Sequence, residues 1–290
     1  MRIAVLDIDQ FKTSKVFNTV YVNTFSKHFR TNKDLISTPH SHNFYLCILF
    51  TAGSGVHEID FNTYEIKPGK VFFLKPGQVH SWKFDSEPEG FIFFHSKDFY
   101  EMHYVLHELK IFPFYYSYQN PPFLDIAGAV EKTALKFQNL LKEYTDSKPL
   151  KELKLVNGIT DIYITLTRLY TSKVDFDNFS NPSYLKILEN FETLIEMHYE
   201  NQKLPKFYAD NLNITTRHLN RIVNETVGKT TNQLISERVI LEAKRLICHS
   251  KNSLLRISEI LGFNDYAYFS RYFKNKTGIK PIDFEKNYYN

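Results

Sequence analysis

The chain has 290 residues, 43% of them hydrophobic, with 36 Lys+Arg against 32 Asp+Glu and a formal net charge of +4. That length allows one to three domains with ample core, no apolar run reaches the roughly 20 residues of a membrane-spanning helix, and residues 1–9 are too short and too acidic to be expected as a signal peptide. Cys47 and Cys248 are too few for a disulfide framework or a cysteine metal site, so buried free thiols and a reducing cytoplasm are expected.

With 19 Tyr and 26 Phe, the cores are expected to be built on rings. The first 35 residues carry little pattern beyond a strand over 16–22. From His40 the pattern sharpens. An aromatic, apolar strand is predicted over 44–51, followed by a tight turn at Ala52-Gly53-Ser54-Gly55. A returning strand with alternation covers 56–61, a turn is expected at Asn62-Thr63, and the chain continues through Tyr64-Glu65-Ile66. Further strands are predicted over 71–74, 79–84 and 90–95, separated by Lys67-Pro68-Gly69, Lys75-Pro76-Gly77 and a polar stretch over 86–89. Short strands punctuated by Gly and Pro at this spacing predict a sandwich or barrel.

Several residues here could carry chemistry. His40 and His42 sit two apart, so on a strand they face the same way. His80 follows a Pro-Gly turn, and Trp82 shares its face. With Gly53, Gly55 and Gly69, the segment resembles a cupin barrel. In metal-binding cupins two His, a Glu shortly after them and a later His hold a divalent metal. His40, His42 and His80 match three of those ligands, but Phe44, Tyr45, Leu46 and Cys47 occupy the neighbourhood of the Glu. Three imidazoles could hold zinc or iron, contact a small molecule, or serve only the core. The reading adopted is effector contact by His40, His42, His80 and Trp82, with Trp82 placed to stack on a ligand such as a sugar, and with no metal and no cofactor.

Residues 96–124 are aromatic and irregular and are expected to wrap the barrel. Two amphipathic helices follow. One carries Ile126, Val130, Ala134, Phe137, Leu141 and Tyr144; the other carries Leu153, Val156, Ile159, Ile162, Tyr163, Leu166 and Leu169. Their stripes need a partner, either the barrel or a second copy of the chain. Residues 171–182 are polar, end at Pro182 and read as a linker. An amphipathic helix over 184–198 opens the last region.

There one short pattern is written twice. The first copy runs through Ala209, Leu212-Asn213-Ile214-Thr215-Thr216 and Leu219-Asn220-Arg221 to Gly228. The second runs through Ser258, Leu261-Gly262-Phe263-Asn264-Asp265 and Phe269-Ser270-Arg271 to Gly278. A repeat means one supersecondary unit used twice, and each copy reads as helix, turn, helix. Thr215 or Thr216 can cap the second helix of the first copy, and Asn264 or Asp265 that of the second. The free face of that helix carries Arg217, Asn220, Arg221 and Asn224 in the first copy. In the second it carries Tyr266, Ala267, Ser270, Arg271 and Lys274. Arg and Asn pair with guanine and adenine edges in the major groove, and Ser, Lys and Tyr suit phosphates. Residues 201–280 hold 14 Lys+Arg against six Asp+Glu, a net of +8, so the rest of the chain sums to −4. A basic patch on a repeated helix-turn-helix is the footprint of a DNA binder. Between the copies, residues 231–249 form one amphipathic helix, a rod of roughly 25–28 Å. Successive grooves on one face of a duplex lie roughly 34 Å apart. One chain is thus expected to read two adjacent grooves, a site of roughly 15–20 base pairs, with DNA bending as a further expectation.

The run Arg238-Val239-Ile240-Leu241-Glu242-Ala243-Lys244-Arg245-Leu246, then Leu261-Gly262-Phe263, Tyr268-Phe269-Ser270-Arg271-Tyr272-Phe273-Lys274, Thr277-Gly278 and Pro281, resembles the AraC/XylS family of bacterial transcription regulators. The match covers residues 183–290. It implies two helix-turn-helix units joined by a linker helix, with the helices starting near Thr216 and Asp265 entering the major groove. Carried over by position, the base-facing residues are Arg217, Asn220 and Arg221, then Tyr266, Ala267, Ser270 and Arg271. Val223 stands where the family usually has Phe, Ser258 where it has Ala, and Glu285 where an Arg commonly follows the final aromatic. Ala267 offers only a methyl group, which suits a thymine methyl.

The expected fold class is α+β and multidomain. A cupin-like effector-sensing barrel covers 1–124, a helical dimerisation region 125–170, a linker 171–182, and an all-α domain with two helix-turn-helix units 183–290. The expected function is sequence-specific transcription regulation under a small-molecule effector, by a cytoplasmic, non-enzymatic homodimer whose partners are double-stranded DNA, the effector and RNA polymerase. The competing reading is a metal-dependent cupin enzyme, an isomerase or oxygenase, carrying a DNA-binding tail. The missing Glu argues against it.

Overall fold

The structure is a computed structural model that describes residues 4–11, 19–102, 109–116, 120–171 and 182–289. The chain divides into two compact units, residues 4–176 and 177–290. The linker expected over 171–182 falls almost entirely outside the described residues, as does the first part of the strand expected over 16–22.

The first unit opens with β1 (Ala4–Leu6), β2 (Val20–Thr24), α1 (Phe25–Thr31) and α2 (Lys33–Ile36). It continues with β3 (His40–His42), β4 (Tyr45–Ala52), β5 (Gly55–Ile59), β6 (Asn62–Ile66), β7 (Lys70–Leu74), β8 (His80–Phe84) and β9 (Glu89–His95). The expected irregular stretch after β9 contains α3 (Lys97–Glu101), α4 (Pro113–Tyr116) and β10 (Phe123–Asp125). Two five-stranded sheets result, ordered β1-β3-β8-β5-β6 and β10-β7-β4-β9-β2.

The β4 sequence is apolar without alternation because both faces of its sheet are covered. Leu46, Ile48 and Phe50 point into the barrel with Phe72 and Phe94. Cys47 and Leu49 point the other way, into a second core with Phe73, Phe93 and the helices α5 (Val130–Thr145) and α6 (Lys151–Thr171). Burial pushes the Cys47 thiol up. The same chain's barrel therefore supplies a partner surface for both helices. Leu153, expected on the packed stripe, is exposed, and Leu155 is buried in its place. At about 100° per residue, Leu153 lies about 120° around the helix from the middle of the stripe formed by Leu155, Val156, Ile159, Ile162, Tyr163 and Leu166. Leu135, Leu153 and Ile164 leave an exposed apolar face on the two helices.

The turn after β5 falls two residues earlier than expected. Asp60 and Phe61 form it, both with left-handed backbone (φ 48° and 70°), and Asn62 and Thr63 already pair with β5. Two positive φ angles give the turn whose twist matches an antiparallel pair. A Phe at such an angle is unfavourable by itself. The backbone N–H of Asp60 donates to the Val79 carbonyl (2.9 Å), and its carboxylate accepts from the Val79 N–H (3.2 Å) and the Gln78 amide (3.3 Å). Tertiary contacts hold the turn where local propensity did not point.

The second unit is all helical. It comprises α7 (Pro182–His198), α8 (Pro205–Asn211), α9 (Thr216–Val227), α10 (Thr231–His249), α11 (Leu254–Ile260), α12 (Tyr266–Thr277) and α13 (Pro281–Tyr289). Its local signals agree with its structure at most ends. Thr230 and Gln233 form a capping box at the start of α10, and the Ser253 hydroxyl accepts the Arg256 N–H to start α11. The 19 residues of α10 make a rod of about 28 Å.

Candidate nucleic-acid interface and barrel interior

The two copies of the pattern fold alike. The Thr215 hydroxyl accepts the His218 N–H (3.1 Å) to start α9, and the Asp265 carboxylate accepts the Tyr268 N–H (2.7 Å) to start α12. Gly228 (φ 67°) and Gly278 (φ 84°) end these helices in the left-handed conformation. Leu219, Ile222 and Val223 of α9, and Phe269 and Phe273 of α12, face the core. The opposite faces carry the residues singled out from the sequence. Thr216, Arg217, Asn220, Arg221 and Asn224 are exposed on α9; Ala267, Arg271 and Lys274 are exposed on α12, where Tyr266 and Ser270 are half-buried.

The copies differ in what these side chains already hold. The Asn220 side-chain oxygen accepts the Thr231 N–H (3.0 Å) and lies 3.3 Å from the Thr231 hydroxyl. Thr231 is the first residue of α10, where the backbone N–H has no helical acceptor. In the second copy the matching helix start is Pro281, which has no N–H to satisfy, and the position matching Asn220 is Ser270. Asn220 therefore spends its acceptor inside the protein, and only its amide N–H groups remain for a base or phosphate. Arg221 also has protein partners. Its guanidinium donates to the Tyr184 hydroxyl (2.9 Å) and to His218 Nδ1 (3.0 Å), with the Glu225 carboxylate 4.0 Å away. Reading a guanine would require it to exchange these partners.

In the first unit, strand register gathers the imidazoles. His40 pairs directly with His80 across β3 and β8, and His57 pairs with Trp82 across β5 and β8. Side chains two apart share a face, so His40, His42, His57, His80 and Trp82 all face the barrel interior. The His80 ring lies 4.4 Å from His40, 5.1 Å from His42, 5.2 Å from His57 and 4.6 Å from Trp82, centre to centre. The structure thus brings together all four residues picked from the sequence and adds His57. Its signal was present, since His57 alternates with Gly55 and Ile59 on the buried face of β5. His28 of α1 was also missed and is buried against Tyr21 and Phe11.

These imidazoles are neutral. Burial lowers His28 and His42 to about 3 and pushes His57 and His80 well below the ordinary histidine range. His40 Nδ1 faces the Thr38 carbonyl (2.9 Å) and His42 Nδ1 the Phe44 carbonyl (3.0 Å). An acceptor carbonyl requires the proton on Nδ1, so Nε2 of each ring carries a lone pair. His57 Nε2 and His80 Nδ1 share one proton at 3.0 Å. His42 Nε2, His57 Nδ1, His80 Nε2 and Trp82 Nε1 are buried with no hydrogen-bond partner among the described residues.

Among the described residues no three His, Cys, Asp or Glu side chains are placed to hold a metal ion. Two of the facing nitrogens are occupied by each other, and no carboxylate joins the cluster. Nothing in the geometry supports a metal-dependent enzyme.

Residues 28–93 match the AraC-like ligand binding domain family, and residues 208–287 match a helix-turn-helix domain family. The chain is similar to the HTH-type transcriptional activator RhaS of Yersinia pestis, 22% identical over 254 residues that cover 84% of this chain and 87% of that protein. The RhaS of Yersinia pseudotuberculosis matches to the same extent. Among solved structures, ToxT of Vibrio cholerae aligns over 92% of this chain and 98% of its own, with a TM-score of 0.45 and 15% identity. The C-terminal domain of AraT, a response regulator of Geobacillus stearothermophilus, aligns over 35% of this chain and 84% of its own, with a TM-score of 0.33 and 22% identity.

Proposed function

This chain belongs to the AraC/XylS family, as a helix-turn-helix DNA-binding regulator with an N-terminal ligand-binding domain, and we propose that one chain reads two adjacent major grooves under the control of an uncharged small molecule held in the barrel. The observation that carries the DNA reading is the pair of matched helices, α9 and α12. Both present cations on an exposed face, joined by amides on α9, in a segment of net charge +8. Arg217, Arg221 and Arg271 are assigned to base edges, with Tyr266, Ser270 and Lys274 on phosphates and Ala267 against a thymine methyl. Thr216 and Asn224 border that surface, and Asn220 contributes its amide N–H groups.

The effector reading rests on the buried nitrogens of His42, His57, His80 and Trp82. A buried polar atom without a partner costs about 1–3 kcal/mol, and a bound molecule with hydroxyl groups would satisfy both the donors and the lone pairs. A sugar or comparable neutral metabolite meets that need, whereas a carboxylate or amine would have to be desolvated with no opposite charge beside it. The effector acts by binding two arrangements of the protein unequally. We assign the exposed apolar face of α5 and α6 to a homodimer contact, the protein to the cytoplasm, and RNA polymerase to its partners. No helix among the described residues is long and apolar enough to cross a membrane, and the curated relatives are transcriptional activators, with no enzymatic role in their names.

The test is to mix the full chain with sheared DNA from its own source at moderate salt and sequence the retained fragments. Enrichment of a few sites that share a repeated motif supports the reading. Retention without sequence preference, in the presence and absence of cell metabolites, refutes it.

A further inference from the structure

The stretch between α7 and α8 touches both helix-turn-helix units. On the side of the first unit, the Tyr208 hydroxyl of α8 donates to the Gln202 carbonyl (2.6 Å). On the side of the second, the Lys203 ammonium donates to the Leu261 carbonyl (2.6 Å), with the Gly262 carbonyl 3.5 Å away. It also donates to the Glu200 carbonyl of its own loop (2.8 Å) and lies 4.5 Å above the Phe263 ring. Leu261 is the C-cap of α11, and the carbonyls at a helix C-terminus have no helical donor. A cation there satisfies them and meets the negative end of the helix dipole. Phe263 in turn packs on Phe269 and Tyr272 of α12.

The approach is close. A Cβ on Gly262 (φ 67°) would lie 2.2 Å from the Glu200 carbonyl oxygen, so the loop sits where only a glycine leaves room for it. The same segment grips the linker helix. The Arg238 guanidinium of α10 contacts both Glu196 carboxylate oxygens at 2.9 Å and stacks 3.9 Å from the Tyr199 ring. Residues 196–203 thus join the first helix-turn-helix, the rod between the two helix-turn-helix units and the turn of the second helix-turn-helix.

We propose that residues 199–203 form a strut that sets the offset between α9 and α12, with Lys203 as a positioning residue that makes the chain selective for the spacing of its two half-sites. This rests on the reading that both helices enter adjacent grooves. The physical reason is effective concentration. Binding of one unit presents the other to its groove at an effective concentration set by the stiffness of the connection. A stiff connection rewards one spacing and penalises the rest. A loose one tolerates several.

Two measurements on the full chain test this. The first is the distance between spin labels placed at Asn224 on α9 and Asn275 on α12, both exposed. The native cysteines are buried and leave these sites distinct. The distribution should be narrow in the unaltered chain and broader in Lys203→Met, which keeps the apolar stem and removes the ammonium. Gly262→Ala should broaden it as well. The second is affinity for a selected DNA site with and without one base pair inserted between its halves, a change of about 34° in their relative orientation. The unaltered chain should lose roughly tenfold or more on insertion, Lys203→Met should lose clearly less, and both should bind a single half-site equally. A distribution as narrow in Lys203→Met as in the unaltered chain, or an equal insertion penalty, overturns the strut alone. An unaltered chain that ignores the insertion overturns the two-groove reading and the strut with it.

Discussion

The two units handle their polar groups differently. In the helical unit helix ends find acceptors and donors close by in sequence, as with Thr215, Thr230, Ser253 and Asp265, or across one contact, as with Asn220 and Lys203. In the barrel unit four imidazoles and the Trp82 indole are driven together by strand register, and several of their nitrogens are left without a partner among the described residues. A region whose helix ends are met by nearby groups can serve as a rigid reader. A region that keeps neutral, unsatisfied polar atoms in its core is suited to a molecule that completes it, at a cost in stability.

The largest expected effect separates the units by pH. His28 and His42 titrate at about 3 and His95 at about 4 in the folded barrel, all lowered by burial, against an ordinary value of 6.5. The unfolded chain therefore binds more protons than the folded one between those values. Stability from these groups is complete above about pH 6.5 and is lost as pH falls, toward 4 for His95 and toward 3 for His28 and His42, at roughly 1.4 kcal/mol per pH unit for each histidine. Trp82 is the single tryptophan of the chain and lies beside His80. Its emission should report a steep acid transition of the barrel near pH 4–6 while helical circular dichroism persists. An emission spectrum that is flat down to pH 3.5 would refute the neutral, buried cluster.

Next in size is Arg238→Ala in the helical unit. It strips the Tyr199 ring and takes from Glu196 its guanidinium partner, while Glu242 keeps Arg245 at 3.5 Å. Because Glu196 is about half exposed (48%), water recovers part of the loss. A destabilisation of about 2–3 kcal/mol is expected, read by urea denaturation of helical signal, with the Trp82 transition unmoved.

The two recognition helices sharpen the comparison on a smaller scale. Arg271→Ala should cost about 1–3 kcal/mol in affinity for the selected site and relax base preference at one position. Asn220→Ala should instead lower stability, since it orphans the first N–H of α10, and should weaken binding to all sequences alike. Competition binding with single-base variants of the site distinguishes the two outcomes; a base-specific loss in Asn220→Ala would return that residue to direct readout. The smallest effect is Thr215→Ala, a lost helix cap worth about 1 kcal/mol, visible as a lower midpoint in thermal melting.

His95 belongs to the other core of the barrel unit. Its Nδ1 faces the Ser96 carbonyl (2.8 Å) and its Nε2 the Tyr163 hydroxyl (2.9 Å), which lies 3.1 Å from the Tyr115 hydroxyl. This chain ties β9 to α6 and α4, and no spacing in the sequence announced it.

The helical unit was largely legible in the sequence. A repeated pattern, capping residues, glycines at helix ends and a 3.6-residue apolar period are all local, and the structure places α9, α10 and α12 where they pointed. One contact there was not legible: the Asn220 side-chain oxygen accepts from Thr231, a contact made by folding one helix onto the start of the next. For the barrel, the sequence determined the strands from β4 to β9 and the shared face of His40, His42, His80 and Trp82, because alternation is a local property, but not β1 or β10. It did not determine that His57 joins them, that the turn falls at Asp60 and Phe61, or that α5 and α6 cover the outside of a sheet. Those are outcomes of register and of contacts between residues far apart in the chain, and no local preference encodes them. Only the tertiary structure decided which polar atoms would be paired and which would be left facing the interior.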